Sequence, residues 1–345
     1  MKNIYLDYAS STPMATEVAK VMEPYWSDTF GNPGSTHWFG QQASGAVFKA
    51  RQTIASFLDV DYKDILFTSS ATEANNLALR GVLKNSKQKN SRIIVSAIEH
   101  ESVLETCRDL EKEGVEVVYI PVNKEGVVDC KEIERALNKR TVLVSIMHAN
   151  NEIGTIQPIK KIGELIKKYK GENSYPLFHT DAVQAFQYLP CSIKKLGVDL
   201  LTLSAHKIYG PKGIGLLYVK DRDLLTPIIT GGGQEDGLRS GTENVPYIIG
   251  FAKAIELVEK SREKEVKRIG DLREYFWQEL KKIISDIEIN GSIKYRLPNN
   301  LNIYFPGRPA SDLCIELDIW GLAVSSGTAC SARSIKPSYV IEALG

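Results

Sequence analysis

Between residues 65 and 219 the chain switches repeatedly between two hydrophobic periods. The runs 65–68, 92–97, 115–120, 142–148, 177–181, 200–204 and 215–219 are short, aliphatic and rich in β-branched residues, as strands are. Between most of them lie stretches of helical spacing, such as 102–113 and 159–169. In the second, Ile159, Ile162, Leu165, Ile166 and Tyr169 fall on one face. This alternation predicts an α/β domain on a mostly parallel sheet, with ligands bound at the carboxyl ends of its strands. From Pro246 to about Ser285 the pattern becomes a long charged helix, with an interruption expected near Gly270. A strand-like 300–305, a helical 311–317 and a strand-like 322–325 follow, which reads as a smaller α+β domain beginning near residue 250.

Composition narrows the class. The 345 residues are 43% hydrophobic and 25% charged, with 43 Lys+Arg against 42 Asp+Glu, a net charge of +1. That balance gives no overall field for nucleic acid or an anionic membrane, and the partner expected is a small molecule or another protein. No 18-residue apolar run exists, and Asp7 comes too early for a signal peptide. The five cysteines, Cys107, Cys130, Cys191, Cys314 and Cys330, are widely spaced with no CxxC pair, so neither a metal cluster nor a disulfide framework is indicated. A reduced, cytoplasmic globular protein is expected.

The candidate chemistry gathers where strands end. Ser204, His206 and Lys207 close one run before a Gly/Pro-rich turn. A lysine there is either a desolvated amine suited to Schiff-base chemistry or a solvated strand-end residue. Asp181 closes another run, where it can sit beside a pyridoxal ring nitrogen, with Gln184 on the phenolic oxygen, or simply cap a helix. The segment Thr68-Ser-Ser-Ala-Thr-Glu73 carries a strand into a helix whose first turn can hold a phosphate, with Thr72 adding a hydroxyl. The alternative is an ordinary N-cap, with acids such as Glu73 and Glu99 simply solvated. His100 can stack on a ring and exchange protons, or be structural. Asn151 can reach a cofactor or substrate oxygen, and the glycine-rich 231–242 offers anion donors or a mobile linker. Cys330, among small and hydroxyl residues, reads as an exposed thiol on a mobile loop, whereas Cys314 reads as core.

Taken in order along the whole chain, these segments resemble pyridoxal-phosphate enzymes of the class V aminotransferase group, specifically cysteine desulfurases of the NifS/IscS type. The motifs are Tyr5-Leu-Asp-Tyr-Ala-Ser-Ser-Thr-Pro13, Gly31-Asn-Pro-Gly-Ser-Thr-His37, Thr68-Ser-Ser-Ala-Thr-Glu73 and Met147-His-Ala-Asn-Asn-Glu-Ile-Gly154. To them are added His179-Thr-Asp181, Ser204-Ala-His-Lys207, Arg239-Ser-Gly-Thr242 and Ser325-Ser-Gly-Thr-Ala-Cys330.

The resemblance implies the aspartate-aminotransferase-like fold of such transferases. A large domain (15–250) would carry a seven-stranded sheet, and 1–14 with 251–345 would form the small domain. It implies that Lys207 bonds pyridoxal 5'-phosphate, that Asp181 and Gln184 hold its ring nitrogen and phenolic oxygen, and that His100 stacks on the ring beside Asn151. Ala71, Thr72, Ser204, Ala205 and His206 would hold the cofactor's phosphate end, with Thr242 reaching over from the second subunit of a homodimer. Cys330 would take sulfur from L-cysteine, leaving alanine and a persulfide for an iron–sulfur scaffold or tRNA-thiolation protein. The Ser-Ser-Gly-Thr-Ala-Cys sequence resembles the branch with a long cysteine loop, which favours several acceptors. A selenocysteine lyase, another class V aminotransferase and a non-catalytic sulfur-assembly subunit are the alternatives. One departure stands out: the family's Ile-Arg-Phe strand, whose arginine clamps the substrate carboxylate, is not found before Gly345. Arg333 is the first substitute to consider, and slow cysteine turnover is expected of these 345 residues.

Overall fold

The computed structural model describes residues 3–327 and 338–345. Its strands are β1 (Ile4–Tyr5), β2 (Ile65–Thr68), β3 (Arg92–Ser96), β4 (Glu116–Ile120), β5 (Thr141–Ser145), β6 (Leu177–Asp181), β7 (Leu200–Ser204), β8 (Gly215–Val219), β9 (Glu288–Ile289), β10 (Ile303–Tyr304) and β11 (Leu322–Ala323). The helices are α1 (Thr16–Met22), α2 (Pro24–Ser27), α3 (Trp38–Leu58), α4 (Ala71–Ser86), α5 (Glu101–Lys112), α6 (Cys130–Ala136), α7 (Ile159–Lys170), α8 (Ile193–Leu196), α9 (Val245–Ile283), α10 (Ala310–Ile319) and α11 (Tyr339–Glu342).

Strands β2 to β8 form one seven-stranded sheet in the order β2-β8-β7-β6-β5-β3-β4. All its neighbours are parallel except β8, which runs against both β2 and β7. Every residue of β5, β6, β7 and β8 is buried. Their continuous apolar runs follow from helices covering both faces, which leaves no side for polar alternation. One core packs Ile54, Phe178 and Phe251 on one face; the other packs Leu77, Leu104 and Leu143 on the opposite face.

Reversal of β8 has a consequence for chemistry. Its first residue, Gly215, pairs with the last residues of both β2 and β7, Thr68 and Ser204. A Cβ on Gly215 would lie 2.8 Å from the Ala71 nitrogen and 2.6 Å from the Ser70 carbonyl carbon. Glycine is therefore required for the start of α4 to rest against the end of β7.

Several expectations need correction. No break occurs near Gly270: α9 runs unbroken for 39 residues. An isolated glycine costs a helix only about 1 kcal/mol, too little to end one without a proline or cap. A boundary at residue 250 thus falls inside α9, and the two-domain division stays a proposal in which this helix belongs to both parts. Strand β5 ends at Ser145 rather than residue 148, and only Ile303–Tyr304 and Leu322–Ala323 pair within the two shorter runs. Cys314 is half-buried, not core, because α10 buries none of its residues and leaves Ile315 and Ile319 exposed.

Candidate active site

The carboxyl ends of β6 and β7 and the N-terminal segment meet at one carbonyl. Lys207 closes the turn after β7, and its Nζ donates to the Ala9 oxygen at 2.6 Å and the Ser10 oxygen at 2.7 Å. Gln184, three residues past the end of β6, donates from Nε2 to the same Ala9 oxygen at 2.8 Å. The segment is fastened by Thr12, whose Oγ1 donates to the His206 oxygen at 2.9 Å and accepts from the Tyr209 nitrogen at 2.7 Å. Ser204 Oγ lies 2.8 Å from His206 Nδ1. Burial, reinforced by the charges of Lys207 and Lys212, pushes the His206 imidazole down to about 4, so the ring is neutral at physiological pH.

Asp181 ends β6 almost wholly buried. Its Oδ1 accepts from the Val183 nitrogen at 3.0 Å and its Oδ2 from Asn75 Nδ2 at 2.8 Å. Asn75 Nδ2 also donates to Ser102 Oγ at 2.8 Å, and Ser102 Oγ lies 2.8 Å from His100 Nδ1. His100 caps α5, with Nδ1 accepting from the Ser102 nitrogen at 3.0 Å. Asp181 and His100, expected to act on the same ring, are therefore joined through Asn75 and Ser102.

At the start of α4, Ser70 Oγ caps the Glu73 nitrogen, which leaves the first-turn N–H groups of Ala71 and Thr72 without intrahelical acceptors. Glu73 is not solvated as an ordinary N-cap reading would have it. It accepts from Ser69 N and Oγ and from Arg239 Nε at 2.7 Å, and these contacts hold its carboxyl below the usual range despite burial. Arg239 thereby fastens the 231–242 loop to α4. Thr242 follows three residues later and is exposed, apart from the cluster.

Asn151 follows β5, and its Oδ1 is buried with no partner among the described residues. The next residue, Glu152, accepts from Ser338 Oγ at 2.5 Å, and a Cβ on Gly327 would lie 3.3 Å from the same carboxyl oxygen. Cys330 and Arg333 lie outside the described residues. Of the other thiols, Cys107 and Cys191 are buried and pushed up to about 12 by that burial, which makes them inert as nucleophiles.

Three participants escaped the sequence reading. Glu99, named only as a solvated acid in the alternative to a phosphate site, is fully buried and pushed up to about 8, chiefly by burial, with the Asp181 charge adding to it. Its Oε1 accepts from Ser96 Oγ at 2.5 Å and the Met147 nitrogen at 2.8 Å, while Oε2 has no hydrogen bond among the described residues. Asn75 and Ser102 were missed as well. The available signal was Asn75 lying on the apolar stripe of α4 with Ala74, Leu77 and Ala78, where a polar side chain needs a buried partner.

The family model described as aminotransferase class-V matches residues 4–344. A protein of Dictyoglomus turgidum named cysteine desulfurase IscS is 47% identical over 343 residues, covering 99% of this chain and 86% of the relative. A Bacillus subtilis protein named putative cysteine desulfurase IscS 1 is 43% identical, covering 100% of this chain and 89% of its own length. Among solved structures, one titled NIFS-like protein superposes with a TM-score of 0.92 at 37% identity, covering 99% and 89% of the two chains. Another, titled SspA in complex with cysteine, does so with a TM-score of 0.86 at 37% identity, covering 99% and 94%. The chain belongs to the class-V aminotransferase family, in its NifS/IscS group.

Proposed function

We propose that this chain is a cysteine desulfurase that uses pyridoxal 5'-phosphate. It takes sulfur from L-cysteine, leaves L-alanine, and carries the sulfur as a persulfide on Cys330. The observation that carries the reading is that Lys207 after β7 and Gln184 after β6 converge on the Ala9 carbonyl, while Asp181, a buried carboxylate with no ion pair among the described residues, ends β6. The donor set fits the cofactor at each end. An amine is present for its aldehyde, a carboxylate for its ring nitrogen and the Gln184 amide for its phenolic oxygen. N–H and hydroxyl donors from Ala71, Thr72, Ser204 and His206 serve its phosphate; the Ala205 N–H is already given to the Ile214 oxygen at 3.3 Å, and the Asn151 Oδ1 is buried with no partner among the described residues. When bound, the cofactor supplies an electron sink for the carbon that loses sulfur.

The chain's own groups do the rest. Asp181 would favour a protonated ring nitrogen, because a buried carboxylate with no ion pair among the described residues gains most from a positive partner. His100, linked to Asp181 through Ser102 and Asn75, would hold or pass a proton at Nε2. The Cys330 thiolate attacks the substrate sulfur; the new S–S bond forms as the C–S bond breaks, and a proton ends on the carbon to give alanine. Homodimer formation, with Thr242 supplied to the partner, is supported by an exposed aromatic run. Phe30 is 66% and Trp38 67% exposed, and both stack on Phe39. The sulfur acceptor proposed is an iron–sulfur scaffold or tRNA-thiolation protein, met in the cytoplasm. Among the described residues no helix is long and apolar enough to cross a membrane.

Cys330→Ala separates the parts of this reading. It should bind the cofactor and change its absorbance on adding L-cysteine, yet release no sulfur. Continued sulfide production or lost cofactor would refute the division of labour. 3-Mercaptopyruvate in place of alanine would indicate an aminotransferase, because transamination leaves the C–S bond of cysteine intact.

A further inference from the structure

We infer that Asn75 and Ser102 are positioning residues that hold His100 as the neutral tautomer with its proton on Nε2, tying it to Asp181 through a buried relay. The inference rests on the proposed role of His100 in the site, but the relay follows from donor and acceptor logic alone. A backbone N–H can only donate, so the Ser102 nitrogen, 3.0 Å from His100 Nδ1, requires a lone pair on Nδ1. The proton of the neutral ring is then on Nε2. At the other end, an ionised carboxylate only accepts, so the Asn75 amide must turn its NH2 group toward Asp181 Oδ2. The same NH2 has a second proton, and it goes to Ser102 Oγ at 2.8 Å. With Oγ already accepting, the Ser102 hydroxyl proton is free to donate to His100 Nδ1, also at 2.8 Å.

Every polarity in the chain is thus fixed from Asp181 outward. The four side chains come from α4, α5 with its cap, and the end of β6, all buried or half-buried. The arrangement is held without a competing partner, because Asn75 Oδ1 has no hydrogen bond of its own among the described residues. An imidazole with two donors on Nδ1 cannot flip to the other tautomer without opposing the Ser102 N–H. Its Nε2–H therefore stays available on the side away from the helix, where a proton donor to substrate is needed. In hydrolase triads, supplying the wrong tautomer costs orders of magnitude in rate, so fixing it is a catalytic matter rather than a packing one.

The test is long-range proton–nitrogen NMR on the apo chain carrying 15N-histidine, with His100→Gln identifying the His100 signals among five histidines. The expected result is an unprotonated Nδ1 and a protonated Nε2. In Ser102→Ala the Nδ1 resonance should move toward that of a free imine-type nitrogen, with a smaller move in Asn75→Leu. In the loaded enzyme Ser102→Ala should lower kcat about tenfold, the scale of one hydrogen bond to a reacting group, with KM for cysteine nearly unchanged. Ser102→Thr, which keeps the hydroxyl, should restore both the resonance and the rate. A proton on Nδ1 in the wild type, or a Nδ1 resonance unmoved in Ser102→Ala, would overturn the relay. Because the resonances are read without cofactor, failure of the wild type to take up pyridoxal phosphate would instead defeat the functional reading.

Discussion

Two aspartates on neighbouring strands show what separates the two edges of the sheet. Asp199 precedes β7 at the amino edge; it accepts from the Phe178 nitrogen at 3.0 Å and is flanked by Lys220 at 3.2 Å and Lys170 at 3.6 Å. Its charge is answered within the chain, beside a cavity of about 220 Å³ lined by the same lysines. Asp181 ends β6 at the carboxyl edge and, among the described residues, receives only neutral donors, an amide and a backbone N–H. The first arrangement closes on itself, while the second has no cation among the described residues and is where the proposed cofactor's ring nitrogen would sit. A hollow of about 500 Å³ lies past the carboxyl end of β4, lined by Pro121, Val122, Asn123 and Glu132, so empty volume occurs at both edges, whereas the proposed chemistry gathers where Asp181 stands.

The largest expected effect is at Asp181. Asp181→Asn keeps the shape and removes the charge, and losing a buried charge-assisted contact costs about 2–5 kcal/mol. Desulfuration should fall on the order of 10³-fold, read as kcat, with the cofactor's absorbance shifted toward an unprotonated ring. Asp199→Asn should leave kcat within a factor of about two. Equal loss in both variants would erase the distinction between the edges.

A second effect concerns Glu99, which feels the Asp181 charge and, like it, has no ion pair among the described residues. Its folded-state value near 8 exceeds the ordinary 4.5, so the folded chain holds this proton while the unfolded chain releases it. The stabilising contribution is complete below about pH 4.5 and is lost as pH rises through 8, at about 1.4 kcal/mol per unit. Glu99→Gln does not titrate. Its stability relative to wild type, from urea melts at about pH 5 and pH 8, should rise by about 3–4 kcal/mol. A difference constant with pH would show Glu99 to be paired after all. The smallest effect belongs to the amino edge, where Lys220 is largely exposed: Lys220→Ala should cost no more than about 1 kcal/mol.

Legibility in the sequence followed the same division. The strands of the large sheet were readable because burial on both faces makes them unbroken apolar runs, and their last residues, Asp181 and Ser204, stand out against that background. The NifS/IscS motifs then supplied a cofactor and a role for each junction. What stayed hidden depends on contacts across elements. Glu99 beside His100 reads the same whether solvated or buried, and only the packing of Met147 and Ser96 around it decides. Asn75 and Ser102 acquire meaning only when α4 and α5 lie side by side. Gly270 misled because a glycine is a helix stop only when a capping geometry forms there. Cys314 misled because an apolar helical setting alone does not say whether a neighbour covers it.

The central claim is that Lys207 at the end of β7 bears the cofactor opposite Asp181, and borohydride reduction tests it most directly. The yellow protein, reduced and digested, should carry a single pyridoxyl label on the peptide containing Lys207, and Lys207→Ala should carry none and release no sulfide from cysteine. A label on any other lysine, or cysteine turnover by Lys207→Ala, would contradict the account.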